Sequence, residues 1–193
     1  MKDSSLSQFD DAVASLRAAK TRPEVSVEEA PSPARLAPHA LALTAEVWID
    51  DPDNRDEQIE GASGRFVLLH DPSGQDAWNG TFRVVAFLRA SVERDLASDP
   101  LLNDVAWDWL TESLETRRAK FHALSGTVTR TLSSSFGDLE QRAPRGEVEM
   151  RCSWTMSGPG STAGEHLLAW TDLLTIAAGL PPLPPGVHAL PRR

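Results

Sequence analysis

His70 is followed directly by Asp71, at the end of the apolar run GRFVLLH and the start of a turn-like DPSG. An imidazole beside a carboxylate is the pairing a general base needs, because the carboxylate orients the ring and stabilises the charge it gains with a proton. If a cleft forms above this hairpin, His70 and Asp71 are the residues that would act there, joined by His122 or His166. The plainer expectation is that Asp71 closes the turn by accepting bonds from its own backbone. The histidines at positions 39, 70, 122, 166 and 188 stand at no metal-ligand spacing, so neither a metal nor a cofactor is expected.

A second candidate is the glycine-rich stretch SGPGSTAGEHLLAWTDLL, residues 157–174, which joins a strand-like run to a helix-like one. Gly158, Gly160 and Ser161 are the residues that would cradle a phosphate. Their pattern, however, is G-x-G-x-x-x-G, one residue longer than the dinucleotide fingerprint. Glu165 and His166 stand where a P-loop carries lysine and serine or threonine, and Pro159 has no amide to donate. A carboxylate at the helix start repels the anion such a loop would hold. Ser161 or Thr162 capping a buried helix accounts for the segment without a ligand.

Cys152 is the single cysteine. Its parity in EVEMRCSWTM sets it beside Val148, Met150, Trp154 and Met156, where a buried thiol has a raised pKa and is inert. DDPDNRDEQIEG, residues 50–61, resembles a calcium loop but has arginine at the fifth position, no glycine at the sixth and no glutamate at the twelfth. GLPPLPPGV has the P-x-x-P spacing of a polyproline ligand, yet it also reads as a helix stop.

These residues are positioned by a chain of 193 residues with formal net charge −9, long enough for one well-cored domain. Acidic charge argues against a phosphate-backbone partner, which calls for a lysine and arginine surplus. One cysteine, no secretory leader and no long apolar run point to a cytoplasmic protein without a membrane partner. Residues 1–20 read as an amphipathic helix with Leu6, Phe9, Val13 and Leu16 on one stripe, and Ser5 and Gln8 at capping-box spacing. Four prolines make residues 21–40 an extended connector, in which Val25, Val27 and Leu36 could tuck against the body. Residues 41–193 form the domain. Strands are expected over 41–49, 64–70, 81–92, 126–136 and 147–156, with helices over 100–119 and 164–178. The expected fold is therefore α+β: a single domain, in the order helix, three strands, helix, two strands, helix, on a mostly antiparallel five-stranded sheet.

Alternation gives that sheet a second face. If Leu43, Val84 and Met150 face the core, then Trp48, Val85 and Phe87 face away, with Val67 or Leu69 nearby and a border of Thr127, Thr129, Thr131, Ser133 and Ser135. Such a strip must be covered by the amino-terminal helix, by a second copy of the chain or by a protein partner.

RPEVSVEEAPSPARLAPHALALTAEV, GRFVLLHDPSGQDAWNGTFRVVAFLRA, GTVTRTLSSSFGDLE and HLLAWTDLLTIAAGLPP together resemble an uncharacterised actinobacterial family, the domain of unknown function three thousand. The likeness runs from about Arg22 to Leu190 and implies a cytoplasmic bacterial protein. It brings no activity, cofactor or catalytic residue. The order of elements is also similar to that of small secretion-chaperone-like folds, which dimerise and hold extended partner segments. Two functions are expected in order: a non-catalytic protein–protein interaction module acting through Trp48, Val85 and Phe87, or a small-molecule enzyme or binding protein with a cleft near His70 and Asp71. Direct nucleic-acid contact is not expected.

Overall fold

The computed structural model describes residues 2–51, 54, 56–137 and 145–182, with side chains from Ser7 onward and, in the last strand, from Gly146. Helix α1 (Lys2–Ala18) is followed by strands β1 (Val25–Ala30), β2 (His39–Asp50), β3 (Gln58–Gln75) and β4 (Gly80–Val92). Two helices, α2 (Arg94–Ser98) and α3 (Leu102–Thr116), lead into β5 (Phe121–Ser133) and β6 (Arg145–Met156). A 3-10 turn over Gly160–Thr162 opens α4 (Ala163–Ala177). All strands join one sheet in the order β1-β2-β3-β4-β6-β5, each neighbouring pair antiparallel.

The α+β class stands, and the strand count is corrected from five to six. The extra strand lies inside the segment read as a connector. Prolines at 23 and 31 bracket VSVEEA without interrupting it, so its amides are free to pair along β2, Val25 with Val47 and Ala30 with Ala42. Val25 is buried, Val27 is half-buried, and Leu36 stays exposed. The helix order differs too: short α2 precedes α3. Strand β3 does not end at His70 but runs to Gln75 through a local irregularity. The reversal is made at Asn79, which takes a left-handed φ of 52° before Gly80.

Every helix of the described chain sits on one face. Leu43, Phe66, Leu68, Val84, Leu88, Met150 and Trp154 turn to that face. They merge with Ala12 and Leu16 of α1, Leu102, Leu110 and Leu114 of α3, and Leu167, Trp170 and Leu174 of α4 in one core. Helix α4 is apolar around nearly its whole circumference because it has neighbours on every side: the sheet below, α1 on one flank and α3 on the other. Arg117, just past α3, forks onto the Asp172 carboxylate at 2.5 and 2.8 Å.

The joint with α1 is made of glycine. A Cβ on Gly160 would come 2.2 Å from the Gln8 carbonyl oxygen, and one on Gly164 would come 2.7 Å from the Ser15 carbonyl oxygen. The backbones can meet only because neither residue has a side chain. Ser15 Oγ–H donates to the Ser161 carbonyl at 2.7 Å, and the Gly164 amide donates to Ser15 Oγ at 2.9 Å. The prediction is that Gly160→Ala pushes α1 off its seat and costs about 1–3 kcal/mol in urea unfolding. A variant as stable as the parent would show that the joint yields without strain.

Candidate functional site

With all described helices on one side, the opposite face of the sheet has no helix over it: Ala42, Val67 and Leu69 form a small buried cluster there, with Ala37 and Trp78 packed against it, and the remainder is bare. The register lays this face out in rows. One row crosses the six strands as Ala30, Ala42, Val67, Val85, Ser153 and Ser125. The next is Glu28, Thr44, Arg65, Phe87, Arg151 and Thr127. On the other side of the first row, Ala40, Leu69, Arg83, Thr155 and His122 stand abreast. Side chains of the first two rows enclose a groove of about 470 Å³, floored by Val67, Val85 and Phe87 and walled by Arg65, Arg151 and Ser153. Val85 is 41% exposed on that floor.

Val85 and Phe87 are thus neighbours, as alternation implied. Trp48 is not beside them. A bulge at Gly61 pairs Trp48 with Glu60, and the row Ser26, Glu46, Ser63, Arg89 and Glu149 lies between that end of the sheet and the groove. Thr127, Thr129 and Thr131 do form a polar border, along the outermost strand β5. The amino-terminal helix covers the other face.

At one end of the groove Arg83 is only 8% exposed, and it has no carboxylate partner among the described residues. One terminal nitrogen donates to the Ala123 carbonyl and Thr155 Oγ1, both at 2.9 Å. The other donates to Ser153 Oγ at 2.6 Å and Ser125 Oγ at 3.5 Å. Burial pulls its pKa down from the usual arginine value, and a guanidinium is the side chain that keeps its charge best in such a place. Arg65 donates to the Pro31 carbonyl, also without a carboxylate partner among the described residues. Arg151 lies over the Phe87 ring, 5.8 Å from its centre, and pairs with Glu149 at 2.9 Å. The sequence put Arg83 on this face by parity but could not show that it is buried or that serines from β5 and β6 converge on it.

His70 and Asp71 do not form a pair. Successive residues of a strand point to opposite faces, and His70 turns into the core under α1, fully buried. It stacks on Phe82 at 4.1 Å and lies 5.6 and 6.0 Å from the rings of His39 and Phe9. Both its ring nitrogens lack a hydrogen-bond partner. Asp71 accepts bonds from Gln75 Nε2 at 3.2 Å and the Ser73 amide at 3.0 Å, and these hold its carboxyl below the ordinary range. His166 is buried as well: Trp154 Nε1 donates to its Nδ1 at 3.0 Å, and burial lowers its pKa to about 4. Among the described histidines, His122 is the one that reaches the helix-free face. A carbonyl can only accept, so its Nε2 donates to the Asn79 oxygen at 2.9 Å, leaving Nδ1 to accept the Ser157 hydroxyl proton at 2.7 Å.

Gly160 and Ser161 build the seat of α1, not an anion cradle, and Gly158 turns the loop ahead of them at a φ of 143°: Ser15 occupies the α4 amide that would face a phosphate. Thr162 caps nothing with its side chain and instead donates to the Pro159 carbonyl at 2.9 Å. Cys152 is buried, its thiol pushed up to about 12. Parts of the calcium-like loop and of the proline-rich tail lie outside the described residues. Among those described, no group of metal-ligating side chains occurs, and no helix is long and apolar enough to cross a membrane.

Residues 6–188 match the family described as "Protein of unknown function (DUF3000)". The chain belongs to that family. The match takes in most of α1, the whole sheet and α4. No curated protein and no solved structure matches the chain.

Two measurements check this account. The pKa values of His70 and His166 are depressed below 6.5, the first by burial and the neighbouring His39 against a smaller opposing pull from Asp71, the second by burial. The unfolded chain therefore binds these protons more readily than the folded one. Stability is full above about pH 6.5 and falls as the pH drops toward 4. A His70→Phe variant, tracked by thermal melting across that window, should lose part of the acid sensitivity. An unchanged slope would place the sensitivity elsewhere. The second measurement is thiol titration: Cys152 should react with a disulfide reagent only after denaturation.

Proposed function

We propose that this protein is a non-catalytic interaction module that binds a protein partner across the bare face of its sheet. The observation that carries this reading is the one-sided cover: α1, α3 and α4 share one face, while Val85 stands exposed at the centre of the other. An antiparallel sheet can leave one face to water, but such a face is ordinarily polar. Here Val85 and Phe87 are left open beside the buried cluster of Ala42, Val67 and Leu69, ringed by arginine, serine and threonine. That is the arrangement of a small interface core with a polar rim.

Purification of the tagged protein from the cells that make it, beside Val85→Asp and Phe87→Glu variants, tests the reading. A partner, or a second copy seen in light scattering, should be held by the parent and lost from both variants while their melting temperatures hold. Recovery equal in all three proteins would sink it.

A second reading, as a small-molecule enzyme, shifts from His70 and Asp71 to His122 and Ser157. The observation in its favour is the hydroxyl–imidazole–carbonyl chain, the order in which a nucleophile, its base and an orienting group stand. A fluorophosphonate probe should label Ser157 if this chain is reactive, and labelling should vanish in His122→Ala. No labelling leaves the chain as a clasp that closes the β3–β4 turn onto β5.

A further inference from the structure

The partner that this face would take is constrained by charge. The whole chain carries −9, yet the charged walls of the groove are the guanidinium groups of Arg65 and Arg151, with Arg83 beneath its serine end. Arg65 and Arg83 have no carboxylate counterpart among the described residues. A buried charge solvated only by hydroxyls and a carbonyl is costly to hold, and an incoming anion would relieve that cost. The route for one exists. Ser153 and Ser125 accept from Arg83 through their lone pairs, and they lie 3.5 Å apart. Even if one hydroxyl donates to the other, the remaining O–H is free to point into the groove. A carboxylate there would meet a hydroxyl proton polarised by the guanidinium behind it.

The rest of the groove selects what carries that carboxylate. Val67, Val85 and Phe87 ask for apolar atoms immediately alongside, and Arg65 and Arg151 flank them. A fatty acid or small metabolite would be left largely in water on a floor where Val85 is 41% exposed, whereas ligand sites of that class bury most of their guest. A nucleic acid would meet only a few guanidinium groups against the field of an acidic protein. A polypeptide brings its own cover.

The geometry points to an extended, acidic peptide segment of a partner protein as the occupant. Its aspartate or glutamate lies over Ser153 and Ser125, and an adjacent apolar side chain rests on Val85 and Phe87. This rests on the reading that the bare face is the docking surface and adds the chemistry of what docks there.

Selection of short random peptides on the full-length protein tests it. The enriched peptides should carry aspartate or glutamate next to an apolar residue. A synthetic copy should bind about tenfold more weakly once its carboxylate is replaced by the amide, or when the protein carries Arg65→Gln with Arg151→Gln. Added salt should weaken binding further. Ser153→Ala, which keeps Arg65 and Arg151, should reduce affinity for the acidic peptide but not for its amide form. Enriched peptides that are neutral or basic, yet lose binding with Val85→Asp, would overturn the acidic assignment and leave the docking face standing. Peptides indifferent to Val85→Asp would remove the docking face itself. Absence of any enrichment, or tighter binding of a single-stranded oligonucleotide at the same arginines, would also overturn the acidic-peptide assignment. Melting curves for each variant separate lost binding from lost folding.

Discussion

Helix α4 sets the terms for the rest of the molecule. Apolar side chains surround it almost completely, so it is stable only where every flank meets another surface. The sheet supplies one side, α3 another and α1 a third. Satisfying α4 therefore draws α1 and α3 to its own side of the sheet, together with much of the bulky apolar cover this chain has. The opposite face is left without a helix, and only its Ala42, Val67 and Leu69 corner is covered, with Ala37 and Trp78 packed on it. Its exposure is not a separate design feature.

The fully buried core carries polar groups, and they show where the packing tolerates strain. His70 lies flat on Phe82 with neither nitrogen bonded, and Trp170 Nε1, Ser113 Oγ and His166 Nε2 are similarly unpaired. Each is neutral or held neutral by burial, which keeps the cost to that of an unmade hydrogen bond rather than an unpaired charge. Arg83 differs in kind. It keeps its charge and sits on the bare side of the sheet, where hydroxyls and a carbonyl stand in for water. The contrast follows the two faces: one is packed under the helices, and the other holds a charge among hydroxyls.

The edges of the sheet are treated unequally. The β1 edge carries Glu28 and Glu29, and Glu29 holds Arg17 at 2.8 Å across to α1. Charge of this kind discourages edge-to-edge pairing. At the other edge β5 presents threonines, a one-residue bulge near Ala123 and Arg130, which donates to the Ala97 and Asp99 carbonyls beside α2. The bulge and that tether interrupt a long flat edge.

Much of the site was legible as parity. The alternation in TFRVVAFLRASV placed Val85 and Phe87 with Arg83, away from Val84 and Leu88, because a strand repeats every second residue whatever surrounds it. The same rule assigned Cys152 to the core. Class, the long helices and the second face followed from periodicity of that kind, as did the failure of the glycine loop to match a phosphate cradle. Tertiary structure alone decided the remainder. VSVEEA became a sixth strand because β2 offered an unpaired edge, which no local pattern records. His70 and Asp71 parted because β3 continued through a turn-like sequence. The register of β2 on β3 set Thr44, and not Trp48, abreast of Arg65 and Phe87, and Arg83 met its serines only after β6 inserted between β4 and β5. Local sequence determines which way each side chain points relative to its neighbours in the chain; which strands lie side by side depends on contacts between segments far apart, and that arrangement brings a binding site together.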